Sequence, residues 1–88
     1  MKIKSDYILR EVAETYIVLP TGDAVVDFNG VISLNESGVL LWRLLEQGAE
    51  LNNLVEALTS EYNVSAEEAL TDVNTFLEEI RKVGCLEE

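Results

Sequence analysis

Val31-Ile32-Ser33-Leu34-Asn35-Glu36-Ser37-Gly38-Val39-Leu40-Leu41-Trp42 is the stretch where the chain changes period. Its first four residues are β-branched or apolar and short enough for a strand. Asn35 follows, a residue whose side-chain oxygen satisfies the free amides at the start of a helix. Beyond it, Val39-Leu40-Leu41-Trp42 with Leu44 and Leu45 is apolar nearly all round a helix that begins at Glu36 and stops at Gly48. A helix of that kind has to be central. A strand feeding directly into a buried helix implies a sheet before this point and helices after it.

Upstream, residues 7–12, 16–20, 24–28 and 31–34 are short and rich in Val, Ile, Leu and aromatics. Turn chemistry separates them at Ala13-Glu14-Thr15, Thr21-Gly22-Asp23 and Asn29-Gly30, which predicts antiparallel hairpins. Asn29-Gly30 suits a type I′ turn, because both residues tolerate positive φ. Pro20 has no N–H for a ladder, so it ends a strand or lies on an edge. Residues 24–28 form either a strand of their own or an extension of the second strand, which leaves three or four strands in the sheet. Downstream, Leu51, Leu54, Val55, Leu58 and Tyr62 recur at the spacing of one buried helical stripe. Ser65-Ala66-Glu67-Glu68 is a capping box for a third helix, which runs to about Val83, carries Arg81 and Lys82 in its last turn and stops at Gly84.

On that third helix Ala66, Leu70, Val73, Leu77 and Ile80 form one stripe, expected to face the core. Ala69, Asp72, Phe76, Glu79 and Val83 form a flanking stripe that mixes an aromatic with two carboxylates. A groove lining has this composition, and so does a widened core contact edged by solvated acids; both readings stand on periodicity alone.

With 88 residues the expectation is a single domain, 1–88, and 48% hydrophobic content with one proline and five glycines is enough for a folded core. The net charge is −11, and from Glu11 to Glu79 there are fourteen acidic residues against Arg43 alone. Such a field repels phosphate backbones and anionic headgroups and favours cationic partners, so neither nucleic acid nor membrane is expected as a ligand. The opening MKIKSDYILREV contains no apolar run long enough for a signal peptide, and the chain reads as cytoplasmic. Asn35-Glu36-Ser37 and Asn63-Val64-Ser65 match a glycosylation acceptor pattern but stand where helix caps are wanted.

Catalysis has little to draw on. There is no histidine and one cysteine, which excludes imidazole acid–base chemistry, an internal disulfide and cysteine-cluster metal sites. No nucleophile motif surrounds Ser33, Ser37 or Ser60, the carboxylates form no calcium loop, and no cofactor is expected. Cys85 is read as a small residue packed under the end of the third helix, and Trp42 as a core anchor.

Strands, helix, turn, helix and a third helix make an α+β layout close to a winged helix-turn-helix. DNA recognition does not follow from it. The segment in the recognition-helix position, residues 51–62, carries Glu56 and Glu61 and no base, and the candidate wing carries Asp23 and Asp27.

The runs Leu9-Arg10-Glu11-Val12, Tyr16-Ile17-Val18-Leu19-Pro20, Leu34-Asn35-Glu36-Ser37-Gly38, Leu41-Trp42-Arg43-Leu44-Leu45, Leu54-Val55-Glu56-Ala57-Leu58 and Asp72-Val73-Asn74-Thr75-Phe76-Leu77, closing with Gly84, strongly resemble the PqqD-like family over nearly the whole chain. These domains are recognition elements for precursors of ribosomally synthesised, post-translationally modified peptides. The resemblance implies a non-catalytic protein that binds a precursor's leader peptide as an added β-strand and delivers it to a maturation enzyme, often a radical S-adenosylmethionine enzyme. It implies that the guest pairs with Val31, Ile32, Ser33 and Leu34 and lies against the third helix, where Ala69, Asp72, Val73, Phe76, Glu79 and Val83 would line the groove. Phe76 and Val83 would bury apolar side chains, and Asp72 and Glu79 would pair with polar or basic ones. A general protein-binding adaptor using the same edge and a degenerate winged-helix regulator are the alternatives.

Overall fold

A computed structural model describes residues 1–22, 25 and 32–88. In chain order the elements are β1 (Lys2–Ile3), β2 (Tyr7–Val12), β3 (Thr15–Pro20), β4 (Ile32–Leu34), α1 (Glu36–Gln47), α2 (Leu51–Glu61), α3 (Ala66–Lys82) and β5 (Leu86–Glu87). A small antiparallel sheet, ordered β2-β3-β4, precedes three helices in an α+β fold. Residues 24 and 26–28, the Asn29-Gly30 turn and Val31 lie outside the described residues, so the sheet is three-stranded among those described.

β2 and β3 pair from Tyr7↔Pro20 to Val12↔Thr15, which leaves only Ala13 and Glu14 to turn the chain. Both take positive φ, 50° and 67°, as a two-residue type I′ turn requires, although neither is the Asn or Gly that adopts it without strain. Pro20 ends β3, where its missing N–H costs no ladder bond. β3 then pairs with β4 through Tyr16↔Leu34, Ile17↔Ser33 and Val18↔Ile32. Alternation puts Ile32 and Leu34 on the face of the fully buried Val18, and Ser33 on the other.

The junction at Asn35 forms as its sequence suggests. The Asn35 side-chain oxygen accepts from the Gly38 amide at 2.8 Å and from the Ser37 hydroxyl at 3.1 Å. Space is tight at Gly38: a Cβ there would stand 3.1 Å from Asn35 Oδ1 and 3.4 Å from Leu34 Cβ. α1 ends at Gly48, whose φ of 95° suits glycine. α2 starts with the Glu50 amide donating to the Asn53 side chain at 2.8 Å, and α3 with the Glu68 amide donating to Ser65 Oγ at 3.1 Å.

Trp42 is wholly buried among Leu41, Leu45, Leu54, Leu58, Val73 and Ile80, as expected of a central helix. Its Nε1–H has no acceptor among the described residues, which costs about 1–3 kcal/mol against the much larger gain from burying an aromatic. The sequence pattern contained no signal for the closing clasp. β1 pairs with β5 through Lys2↔Glu87 and Ile3↔Leu86, and the Lys4 amide donates to the Cys85 carbonyl at 2.8 Å. Two-residue strands are too short to display a period.

The buried stripe of α3 differs from the expected one. Ala69, Val73, Phe76, Leu77 and Ile80 are buried, whereas Ala66 is exposed and Leu70 is 40% exposed. At 100° per residue the observed stripe is centred about 40° from the expected one, towards Phe76. Apolar residues cover an arc of about 120° on this helix, wider than its contact with the core. Packing against α2 and β5 selects the Phe76 side of that arc. Ala66 stands in the first turn, at the margin of this contact.

Candidate functional site

β4 is an edge strand. β3 occupies one side of it, and the sheet order leaves the other side without a strand among the described residues. β4 runs straight into the Asn35 helix cap, beside the face of α3 that carries Asp72, Thr75, Phe76 and Glu79.

A depression of about 410 Å³ lies there, lined by Ser33, Leu34, Asn35, Gly38, Phe76 and Glu79. It shares Asn35, Gly38, Phe76 and Glu79 with a second depression of about 270 Å³, which continues along α3 past Ser37, Leu41, Leu58, Asp72 and Thr75. Together they form one trough between the β4–α1 junction and α3. Its floor is apolar, from Leu34, Leu41, Leu58 and the ring of Phe76, and its α3 wall carries two carboxylates two helical turns apart. No Lys or Arg lines either depression. The glycine at 38 keeps the α1 wall low, so the Phe76 ring and the cap oxygen share the trough.

Three of the flanking-stripe residues, Asp72, Phe76 and Glu79, meet in this trough with Ser33 and Leu34 of β4. Ile32 is half-buried against the core cluster. Ala69 and Val73, expected as lining, are 0% exposed and present no surface to a guest, because the rotation of α3 turns both into the core. Val83 lies outside the two depressions. It caps the C-terminal end of α3, packs on the core cluster, and accepts at its carbonyl from the Tyr7 hydroxyl at 3.4 Å. Val31 is outside the described residues. Sequence reading missed Ser37, Gly38, Leu41, Leu58 and Thr75 as lining residues, and it treated Asn35 as a cap alone. A helix cap placed directly after an edge strand was the available signal, since it leads the trough round the end of the sheet.

Among the described residues no group of three or more His, Cys, Asp or Glu is arranged to hold a metal ion. Cys85 is fully buried, and burial pushes its thiol up to about 11, with Lys4 drawing it slightly back, so little thiolate exists near neutrality. Among the described residues no helix is long and apolar enough to cross a membrane. The trough offers a strand edge that no other strand covers among the described residues, an apolar floor and an acidic wall, which together suit an extended chain with apolar and basic side chains.

No curated protein matches the chain. Two solved structures share its fold. TbiB1 in complex with the TbiA(beta) leader peptide has a TM-score of 0.79 and 24% identity, covering 99% of this chain and 95% of that one. A lasso peptide synthetase B1 complexed with the leader peptide has a TM-score of 0.77 and 18% identity, covering 99% of this chain and 96% of that one. Residues 15–86 match the family model of coenzyme PQQ synthesis protein D, a span running from β3 into β5 and including the whole trough, and on that match the chain belongs to the PqqD family.

Proposed function

We propose that this chain is a non-catalytic leader-peptide-binding protein of a ribosomal peptide maturation pathway. Residues 1–88 act as one recognition domain in the cytoplasm, and the bound precursor is handed to a modifying enzyme, a radical S-adenosylmethionine enzyme being the expected kind. The leader joins the open side of β4 as a further strand, pairing with the backbone of residues 31–34 and resting on Phe76 between Asp72 and Glu79.

The observation that carries this reading is the joining of a strand edge, unpaired among the described residues, to a trough with an apolar floor and acidic wall, in a member of the PqqD family. Main-chain pairing supplies affinity without demanding a sequence, and the trough supplies selectivity. The two fold relatives are complexes with leader peptides, which supports the same use of the fold here. The acidic α2, with Glu56 and Glu61, speaks against the winged-helix regulator.

The test is a titration of the labelled protein with candidate leader peptides from neighbouring precursor genes. Amide shifts are expected in β4 and on the Asp72–Phe76–Glu79 face of α3. Shifts confined to α2 would overturn the assignment. Asp72→Asn is expected to weaken binding by about 0.5–1.5 kcal/mol, with a loss that shrinks as salt rises.

A further inference from the structure

The trough does not stop at Asp72. Beyond it lies a third depression of about 300 Å³, lined by Asn35, Glu36, Ser37, Leu58, Tyr62, Val64 and Asp72, and it shares Asn35, Ser37, Leu58 and Asp72 with the trough. It is built differently from the rest. Leu58, Tyr62 and Val64, from the end of α2 and the turn after it, supply an apolar wall, while Glu36 and Asp72 supply carboxylates from α1 and α3. No base is among its lining residues.

We propose that this pocket is a subsite for one lysine or arginine side chain of the bound peptide. The proposal rests on the leader-binding reading above. The alkyl stem lies on Leu58, Val64 and the Tyr62 ring, and the cationic head reaches Glu36 and Asp72. An apolar guest side chain would fill the same wall but desolvate two carboxylates without pairing them, whereas a basic one satisfies both demands.

The backbone electrostatics agree with a cation. The pocket faces the C-terminal end of α2, whose last carbonyls carry partial negative charge. The opposing positive end of α1 is already occupied: Asn35 Oδ1 takes the Gly38 amide, and Glu36 stands in the first turn. The Tyr62 hydroxyl is held above its ordinary pKa by burial first and then by the charges of Glu36 and Glu61, which places negative charge around the ring.

The register of the guest follows from the sheet. A strand continuing the antiparallel order β2-β3-β4 runs opposite to β4, so its N-terminal end arrives at Leu34 and Asn35. The basic residue therefore belongs to the N-terminal flank of the paired segment.

The experiment selects short random peptides from a display library on the immobilised full chain, then measures selected peptides in solution. Selected sequences are expected to carry Lys or Arg at one place, N-terminal to an apolar strand-forming segment. Changing that residue to Gln is expected to weaken binding about tenfold. The difference is expected to vanish in the Glu36→Gln, Asp72→Asn double variant and to persist in Glu56→Gln, on α2 outside the pocket. Basic residues at no fixed place, or a Gln penalty that survives in the double variant, overturn the subsite while β4 amide shifts leave the leader-binding reading standing. Selected peptides that leave the β4 amides unmoved, or a library from which nothing is enriched, overturn both.

Discussion

The orientation of α3 decides which residues reach the trough, and it can be tested without any ligand. Phe76 is 7% exposed and packs in the core, whereas Leu70, on the stripe that periodicity favours, is 40% exposed. Phe76→Ala removes the whole phenyl ring from the core cluster that Phe76 shares with Val73, Leu77 and Ile80, and truncations of this kind cost about 3–5 kcal/mol. Leu70→Ala leaves no cavity and puts the best helix former at a half-open surface position, so its effect should stay within about 0.5 kcal/mol. For a chain of this size the unfolding entropy corresponds to about 5 °C per kcal/mol. Phe76→Ala should therefore melt about 15–25 °C lower and Leu70→Ala within about 3 °C of the parent. Urea titration followed by Trp42 fluorescence supplies the free energies, because the indole is fully buried in the fold and reports its loss directly. If Phe76→Ala proves so destabilised that it is unfolded at rest, Phe76→Leu keeps the comparison measurable with a smaller volume change. A Leu70→Ala penalty equal to that of the Phe76 variants would refute the orientation and move the acidic face away from β4.

Three further outcomes are expected. Replacing Ala13 and Glu14 together by Asn-Gly should raise stability by about 1 kcal/mol, since both residues hold positive φ in a two-residue turn; an unchanged melting temperature would contradict the turn. Asn35→Ala should cost about 1 kcal/mol in urea titration, and Gly38→Ala should fail to gain the usual advantage of Ala over Gly in a helix, because its Cβ crowds the same cap oxygen. Cys85 should resist iodoacetamide at pH 8 until the chain is denatured. Its raised folded pKa keeps the thiol protonated while the unfolded thiol ionises, so stability should fall by about 1–3 kcal/mol between about pH 9 and 11, a loss absent in Cys85→Ala.

How much of this was legible in advance depends on how local each signal is. Asn35, Ser65, Gly48 and Gly84 determine helix ends through hydrogen bonds and backbone angles a few residues long, so the three helices were readable within a residue or two. The antiparallel register of β2 and β3 follows from Ala13 and Glu14 lying between two alternating runs. The unbalanced charge and the absence of histidine are properties of composition and hold in any fold. Packing decided the rest. Apolar residues on α3 span more of the helix than the core can accept, and only contact with α2 and β5 turned Ala69 and Val73 inward and left Asp72, Thr75 and Glu79 at the rim. The clasp of β1 on β5 joins residues at the two ends of the chain through pairings too short to show a pattern. The trough itself gathers Ser33 and Asn35, Leu58, and Asp72 from three separate parts of the sequence. Periodicity assigns each of them a local role, as strand, cap or helix face, and their proximity exists only because the helices close over the sheet.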